Sequence, residues 1–382
     1  MNEPIYLDYN ATTPIDPEAA EAMLPFLYGH FGNPSSSHPY GLDARMSVEK
    51  ARAQVASLLN CRPGELIFTS GGTESNNYAI KGAALAHKDR GDHIITSAIE
   101  HPAVLEVCSW LSERGFRITV LPVDSSGMVN PADLAHAIDD RTILVSIMHA
   151  NNEVGTIQPI QELAEIVHQH GAIMHTDAAQ SVGKIPVEPS RLGVDLLSVA
   201  GHKVYAPKGI GVLYIRAGVS LEKFMHGAGH EGGHRAGTEN VLEMVGLGKA
   251  CQVAERDLEK NQVTYQDRRD QLHSLLESNL GGQILRLNGH PHIRLPNTLN
   301  LSFYRIRANA LLDRIAHQVA ASAGAACHAD SVTISSVLQA MQVPVDWAMG
   351  AVRFSIGRGT TPEMIEQAAS VVGQAVQELK NS

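Results

Sequence analysis

Three features that mark special protein classes are missing from this sequence. The four cysteines are widely scattered and form no CxxC pair, which argues against a zinc ribbon and a disulfide framework. No segment approaches the roughly 18 uninterrupted apolar residues of a membrane span, and residues 1–8 lack the basic and apolar regions of a signal peptide. These absences predict a cytoplasmic chain with reduced thiols and no membrane partner.

An excess of positive charge is also missing. The formal net charge is -10, so the surface offers no general attraction for nucleic acid or anionic lipid. There is no internal repeat and no low-complexity linker. The length of 382 residues is compatible with one large α/β domain and a smaller domain attached to it.

Short apolar runs alternate with amphipathic stretches in the first half of the chain. We expect strands at residues 65–70, 92–98, 117–123, 142–148, 172–178, 195–201 and 211–216. We expect helices from Ser75 to Lys88, from Pro102 to Arg114 and from Ile160 to His170. This alternation predicts an α/β fold with a mostly parallel sheet and helices on both faces. A long helix over 241–279 then precedes a strand, helix, loop, helix, strand, helix pattern that starts at Thr298.

The residues that suggest chemistry lie where predicted strands end, which is where open α/β sheets bind ligands. Gly72 and Thr73 follow the first strand and precede a helix, so backbone N–H groups and a hydroxyl can hold an anion such as phosphate. Taken alone, this segment is more typical of a plain turn with Thr73 or Ser75 as the helix cap. Asp177 ends another strand, and a buried aspartate needs a cationic partner or good hydrogen bonds. A protonated pyridine nitrogen is one such partner.

His202 and Lys203 follow a further strand. A lysine in a pocket can lose its proton and form a Schiff base, although a single surface lysine is the commoner case. The combination of Thr73, Asp177, His202 and Lys203 at strand ends favours a cofactor site. His226, His230 and His234 are spaced four apart, but the glycines around them argue against a helix, and we predict no metal site.

The sequence resembles the cysteine desulfurase and selenocysteine lyase family of class V aminotransferases. The resemblance spans almost the whole chain and is carried by TSGGTESNN (69–77), SAIEHPAVLE (97–106), MHANNEVGTIQP (148–159), HTDAAQSVGK (175–184), AGHKVYAPKGIGVLYIR (200–216), GGHRAGTEN (232–240), RLPNTLNLSF (294–303) and VRFSIGRGTT (352–361). It implies a homodimer with the fold of fold-type I pyridoxal-phosphate enzymes. The expected division is an N-terminal segment (1–15) that packs with the small domain, a large cofactor-binding domain (16–255) and a small α+β domain (256–382).

The resemblance also implies roles for individual residues. Lys203 forms a Schiff base with pyridoxal 5'-phosphate, and His101 stacks on its ring and acts as a catalytic residue that transfers protons. By the same resemblance, Asp177 contacts the pyridine nitrogen and Gln180 contacts the ring hydroxyl. Gly72, Thr73 and His202 contact the phosphate, and Thr238 contacts the phosphate of the neighbouring subunit. Asn152 is a further contact to the cofactor. Ala200 replaces a family serine, so one hydroxyl contact to the cofactor is expected to be lost. Asn152 and Arg353 are expected to hold the substrate, L-cysteine, because a planar guanidinium matches a carboxylate.

Cys327 matches the nucleophilic cysteine of the family, which keeps the substrate sulfur as a persulfide for an acceptor such as an iron–sulfur scaffold or a sulfur carrier. The neighbouring His328 favours a thiolate. Ala325 and His328 depart from the usual desulfurase motif and are closer to selenocysteine lyases, whereas the spacing from Cys327 to Leu338 is similar to that of long-loop desulfurases. A selenocysteine lyase, a class V transaminase and a catalytically silent scaffold subunit are the alternative functions.

Overall fold

The computed structural model describes residues 3–323 and 334–381, and Cys327 therefore lies outside the described residues. Among the residues it describes, no helix is both long enough and apolar enough to cross a membrane. The strands are β1 (Ile5–Tyr6), β2 (Leu66–Thr69), β3 (His93–Ser97), β4 (Arg117–Leu121), β5 (Thr142–Ser146), β6 (Ile173–Asp177), β7 (Leu196–Ala200), β8 (Gly211–Ile215), β9 (Leu285–Asn288), β10 (Thr298–Phe303), β11 (Val319–Ala320), β12 (Ser322–Ala323) and β13 (Ala351–Ser355).

Helices connect most of these strands. They are α1 (Pro17–Tyr28), α2 (Pro39–Leu58), α3 (Gly72–Ala86), α4 (Pro102–Ser112), α5 (Pro131–Ala137), α6 (Ile160–Gln169), α7 (Pro189–Leu192), α8 (Val241–Leu280), α9 (Ala308–Ile315), α10 (Ser336–Ala340), α11 (Val345–Ala348) and α12 (Pro362–Asn381). The seven strands expected from the apolar runs are confirmed, and so are the three expected helices and the long helix.

A seven-stranded sheet in the order β2-β8-β7-β6-β5-β3-β4 forms the centre of the large domain. Only β8 runs antiparallel to its neighbours in this sheet, so the prediction of a mostly parallel sheet is confirmed. Buried side chains from α2, α6 and the first half of α8 cover one face, and α3 and α4 cover the other. Because apolar layers lie on both faces, the strands β3, β5, β6, β7 and β8 are buried along their whole length.

A second, antiparallel sheet in the order β12-β13-β10-β9 forms the small domain. The N-terminal strand β1 pairs in parallel with β11, and Asp8 forms an isolated bridge with Ser355 in the same region. In α8, Leu247 belongs to the core of the large domain, whereas Leu272 belongs to the core of the small one. The division into segment 1–15, domain 16–255 and domain 256–382 stays a prediction.

Three features of the fold were not expected from the sequence. Helices α1 and α2 precede the first strand of the large sheet, and β9 precedes β10. Helix α3 begins at Gly72 rather than at Ser75, because Gly71 adopts φ +145° immediately before it, a conformation that L side chains rarely adopt. Thr73 therefore lies in the first turn of the helix.

Candidate active site

A cavity of about 310 Å³ opens where β6 and β7 end and α3 and α4 begin. Ten of the residues singled out in the sequence line it, namely Gly72, Thr73, His101, Asn152, Asp177, Gln180, Ala200, His202, Lys203 and Arg353. Its position at the carboxyl ends of parallel strands is the one that open α/β sheets use for ligands. The small-domain strand β13 supplies Arg353, so both domains contribute to the wall.

Lys203 ends a single 3-10 turn (Gly201–Lys203) that directly follows β7. Its Nζ donates to the backbone oxygens of Asn10 at 2.5 Å and Ala11 at 2.7 Å. Burial and, after it, the nearby Arg353 lower the pKa of Lys203 to about 8, against the opposing effects of Asp8 and Asp177. The amine is therefore closer to its neutral, nucleophilic form at physiological pH than an exposed lysine is.

Asp177 presents a buried carboxylate to the cavity at the end of β6. One oxygen accepts a hydrogen bond from Nδ2 of Asn76 at 2.7 Å, and the other accepts from the backbone N–H of Ala179 at 2.9 Å. Within residues 3–323 and 334–381, the Asp177 carboxylate forms no ion pair. A buried carboxylate of this kind is suited to a cationic group in the cavity, such as a protonated ring nitrogen.

The N-terminus of α3 forms the opposite end of the cavity. Gly72, Thr73 and Glu74 occupy its first turn, where backbone N–H groups have no acceptor within the helix. A Cβ added at Gly72 would lie 3.1 Å from Cβ of Ala200, so the glycine allows a close approach of the two backbones. These N–H groups and the positive end of the helix dipole favour an anion here.

His202 lies beside this helix terminus as a neutral donor or acceptor. Burial lowers the pKa of His202 to about 4, and the cations Lys203 and Lys208 lower it too. Its Nδ1 lies 3.2 Å from the hydroxyl oxygen of Thr12. An uncharged imidazole in this place can donate to a phosphate oxygen without adding a further buried charge.

Arg353 crosses from the small domain to the cavity and is 6% exposed. Its Nη2 contacts Oδ1 of Asp8 at 2.8 Å, and its Nη1 donates to the backbone oxygen of Asn152 at 3.0 Å. Nε is buried and has no hydrogen-bond partner among the described residues. Since a guanidinium has five N–H groups, these contacts orient Arg353 and leave donors for an incoming carboxylate.

His101 caps the N-terminus of α4, where its Nδ1 accepts from the backbone N–H of Ala103 at 3.1 Å. A neutral ring with this contact carries its proton on Nε2. Burial of the ring lowers the pKa of His101; Asp177 opposes this effect, and the cation of Lys203 adds a smaller lowering. The ring is thus available both to stack on a planar ligand and to exchange a proton.

Four residues that hold the charged groups of the site were not singled out from the sequence. Asn10 and Ala11 accept from Lys203, Asp8 pairs with Arg353, and Asn76 donates to Asp177. Their importance arises from contacts between distant parts of the chain, which periodicity does not reveal. The sequence signal for these residues was that they lie in LDYNATTP (7–14) and TSGGTESNN (69–77), within the stretch that resembles the family.

Thr238 is exposed and is not part of the cavity wall. The loop that carries it is anchored on the same subunit by two ion pairs. Arg235 contacts Glu74 at 2.9 Å in the first turn of α3, and Arg52 contacts Glu231 at 2.8 Å. Thr238 therefore makes no contribution to this cavity in the described chain, and Cys327 lies outside the described residues.

Comparisons with known proteins match this chain over almost its whole length. The family model named aminotransferase class-V matches residues 5–368. A cysteine desulfurase IscS of Methanosarcina thermophila is 46% identical over 381 residues, which cover 100% of this chain and 94% of the relative. A relative with the same name from Dictyoglomus turgidum is also 46% identical and is covered to 96%.

A solved structure described as a NifS-like protein has the same fold. It superimposes with a TM-score of 0.90 at 38% identity, covering 99% of this chain and 100% of the other. Full-length coverage in both directions means that the large domain, the small domain and the N-terminal segment all have counterparts there.

Proposed function

This chain belongs to the class V aminotransferase family, and we propose that it is a pyridoxal-phosphate-dependent cysteine desulfurase that converts L-cysteine to L-alanine. The observation that carries the proposal is the placement of Lys203, Asp177 and Arg353 around one cavity. The whole-length similarity to relatives named cysteine desulfurase supports the choice of substrate. The persulfide on Cys327 would then be transferred to an acceptor protein, for iron–sulfur cluster assembly or other sulfur trafficking.

The cavity fits pyridoxal 5'-phosphate, which when bound withdraws electrons from the α-carbon of an amino acid. Lys203 would hold its aldehyde carbon, and the unpaired carboxylate of Asp177 would hold its ring nitrogen. The α3 terminus at Gly72 and Thr73, together with His202, would hold its phosphate. The other proposed contacts are stacking by His101, hydrogen bonding of the ring oxygen by Gln180, and contacts by Asn152 and Ala200.

Arg353 and Asn152 would bind the substrate carboxylate. Asp8 and the Asn152 backbone fix the guanidinium before the substrate arrives, and a pre-oriented group loses less freedom on binding. Lys203, once freed from the cofactor by the substrate amine, would act as the base that takes the α-proton. Its pKa of about 8 suits a group that must both accept and return a proton near neutral pH.

Cys327 would act as a thiolate on the substrate sulfur. The C–S bond of the substrate breaks, an S–S bond forms at Cys327, and the electron pair left on carbon takes up a proton to give alanine. Atoms and electrons balance without any added oxidant. Cys61, Cys108 and Cys251 are poor candidates for this step, because burial raises the pKa of each thiol to about 12.

We further propose a homodimer in the cytoplasm. Large apolar side chains on and beside α1 and α2 are exposed in one subunit, among them Leu24, Leu27, Tyr28, Phe31 and Met46. An exposed apolar surface of this kind is typical of an interaction site. In such a dimer, Thr238 would reach the phosphate of the neighbouring subunit.

A product assay tests the proposed function. Purified protein loaded with cofactor is incubated with L-cysteine and a thiol reductant, and alanine and sulfide are measured. We expect equal amounts of both products, whereas a keto acid in place of alanine would identify a transaminase. The second candidate is a selenocysteine lyase, which the sequence GAACHAD (324–330) favours. The same assay with selenocysteine as the substrate distinguishes the two functions. Release of alanine from selenocysteine but not from cysteine would overturn the proposal.

A further inference from the structure

Lys184 is a buried lysine to which the proposed reaction assigns no role. It is 5% exposed and lies just after β6. Its Nζ donates to Oε1 of Gln180 at 2.8 Å. Across the residues that the structure describes, Lys184 forms no ion pair, although a buried ammonium ordinarily requires an anionic partner.

The charged groups that act on Lys184 are cations. Burial has the largest effect and holds the pKa of Lys184 well below its ordinary value, and Lys203 and Arg353 act in the same direction. A hydrophobic side chain of similar length would avoid this cost. The lysine therefore needs an explanation beyond packing.

The hydrogen bond from Lys184 determines how the amide of Gln180 is oriented. The oxygen of Gln180 accepts from Nζ of Lys184, which has N–H groups to donate whether or not the amine is charged, so the NH₂ group of Gln180 faces away from Lys184. Nε2 donates to the backbone oxygen of Asn10 at 3.0 Å, and the same oxygen accepts from Nζ of Lys203 at 2.5 Å. Gln180 also lines the cavity, so its donor group lies on the side of Lys203.

We infer that Lys184 is a positioning residue that holds Oε1 of Gln180 and thereby keeps the Gln180 NH₂ group as a hydrogen-bond donor to the ring oxygen of the cofactor. This inference rests on the proposed function, since it concerns the bound cofactor. A donor at the ring oxygen withdraws electron density from it, so that oxygen holds the proton it shares with Nζ of Lys203 less tightly. The bound cofactor should consequently lose this proton at a lower pH than it would without Lys184.

A double-mutant cycle with Lys184→Met and Gln180→Ala tests the inference in the cofactor-loaded enzyme. The readout is the midpoint of the pH titration of cofactor absorbance, with no substrate present. Each single variant should raise the midpoint by about one unit, the size expected for one hydrogen bond to a charged group. The double variant should shift no further than Gln180→Ala alone, and Lys184→Arg, which keeps a donor, should shift less than Lys184→Met.

One further variant allows the result to be interpreted if Lys184→Met does not fold. Gln180→Glu accepts from Lys184 yet cannot donate into the cavity, so it should raise the midpoint even if Lys184→Met fails to fold. Every variant keeps the charged groups that act on Lys203, namely Asp8, Asp177 and Arg353. The inference is overturned if Lys184→Met shifts the midpoint equally with and without Gln180, or if Gln180→Glu leaves it unchanged. If the wild type itself binds no cofactor, the proposed function fails instead.

Discussion

The surroundings of Lys203 determine how readily its amine reacts. An ordinary lysine has a pKa of 10.5, whereas burial and then Arg353 lower that of Lys203 to about 8, against the opposing effects of Asp8 and Asp177. Only the neutral amine attacks an aldehyde. The low pKa therefore gives the apoprotein a much larger fraction of neutral amine near neutral pH than an ordinary lysine would have.

The pH dependence of cofactor capture tests this view. The rate at which apoprotein binds pyridoxal phosphate covalently should rise with pH, reach half its maximum near pH 8 and level off above it, because deprotonation supplies the reactive form. Lys203→Ala should abolish covalent capture and turnover. A half-maximum near 10.5, or a borohydride-reducible cofactor link in Lys203→Ala, would remove Lys203 from this role.

Arg353 is expected to contribute mainly to substrate binding. Arg353→Ala should raise the KM for cysteine and lower kcat/KM by roughly 30- to 100-fold, since a hydrogen-bonded pair between charged groups is typically worth about 2–3 kcal/mol. The cofactor should remain bound. Steady-state kinetics provide the measurement, and Arg305→Ala, at an exposed arginine outside the cavity, is the matched control. An unchanged KM would contradict the assignment.

At the scale of elements, the sequence predicted the strands of the large sheet well. Continuous apolar runs such as TILVSIM (142–148) have no alternation because both faces of the sheet are covered. Helices α1 and α2 were not expected because several of their apolar side chains, such as Leu27 and Met46, are exposed in the subunit, which obscures a one-sided pattern. The site residues Asp8 and Asn10 escaped prediction because their roles depend on contacts with the distant residues Arg353 and Lys203.

The loop after β8 is anchored to the sheet by a buried ion pair. Arg52 of α2 contacts both carboxylate oxygens of Glu231 at 2.8 Å, and Glu231 also accepts from the backbone N–H of Phe68 in β2. The guanidinium lies 4.8 Å from the centre of the Phe68 ring. Removing one partner of such a pair leaves the other buried and uncompensated.

Arg52→Met should therefore destabilise the protein strongly. We expect the free energy of unfolding to fall by about 3–5 kcal/mol, measured by urea denaturation of the apoprotein. Arg62→Met is the matched control, since Arg62 pairs with Glu65 at the surface and exposed pairs contribute little. Equal effects of the two substitutions would show that the Arg52–Glu231 pair does not anchor the loop.

At the scale of the whole molecule, the proposed homodimer would bring residues of two subunits to each site. Thr238 is exposed and about 35 residues beyond Lys203 in sequence, and it lies outside the cavity of its own subunit. A partner subunit bound through the apolar surface around α1 and α2 would supply the acceptor site for this loop. The proposed dimer would thus explain both the exposed apolar area and the position of Thr238 outside the cavity.

Subunit mixing tests the shared site. Thr238→Ala should lower cofactor affinity by roughly 10-fold, within the range for a lost hydrogen bond to a charged group. Mixing it with inactive Lys203→Ala should raise activity at limiting cofactor, because the mixed dimer pairs an intact Lys203 with an intact Thr238. If Thr238 served its own subunit, the mixture would show no gain over Thr238→Ala alone.

The central claim is that Cys327 takes the sulfur of cysteine, and a mass spectrum of the intact protein tests it most directly. Cofactor-loaded wild type treated with cysteine in the absence of reductant should gain the mass of one sulfur atom on Cys327 and release one alanine for each site. Cys61→Ala should behave like the wild type, because the pKa of Cys61 is raised to about 12. Cys327→Ala should bind cysteine but neither gain sulfur nor release appreciable alanine. Full release of alanine by Cys327→Ala would contradict the account.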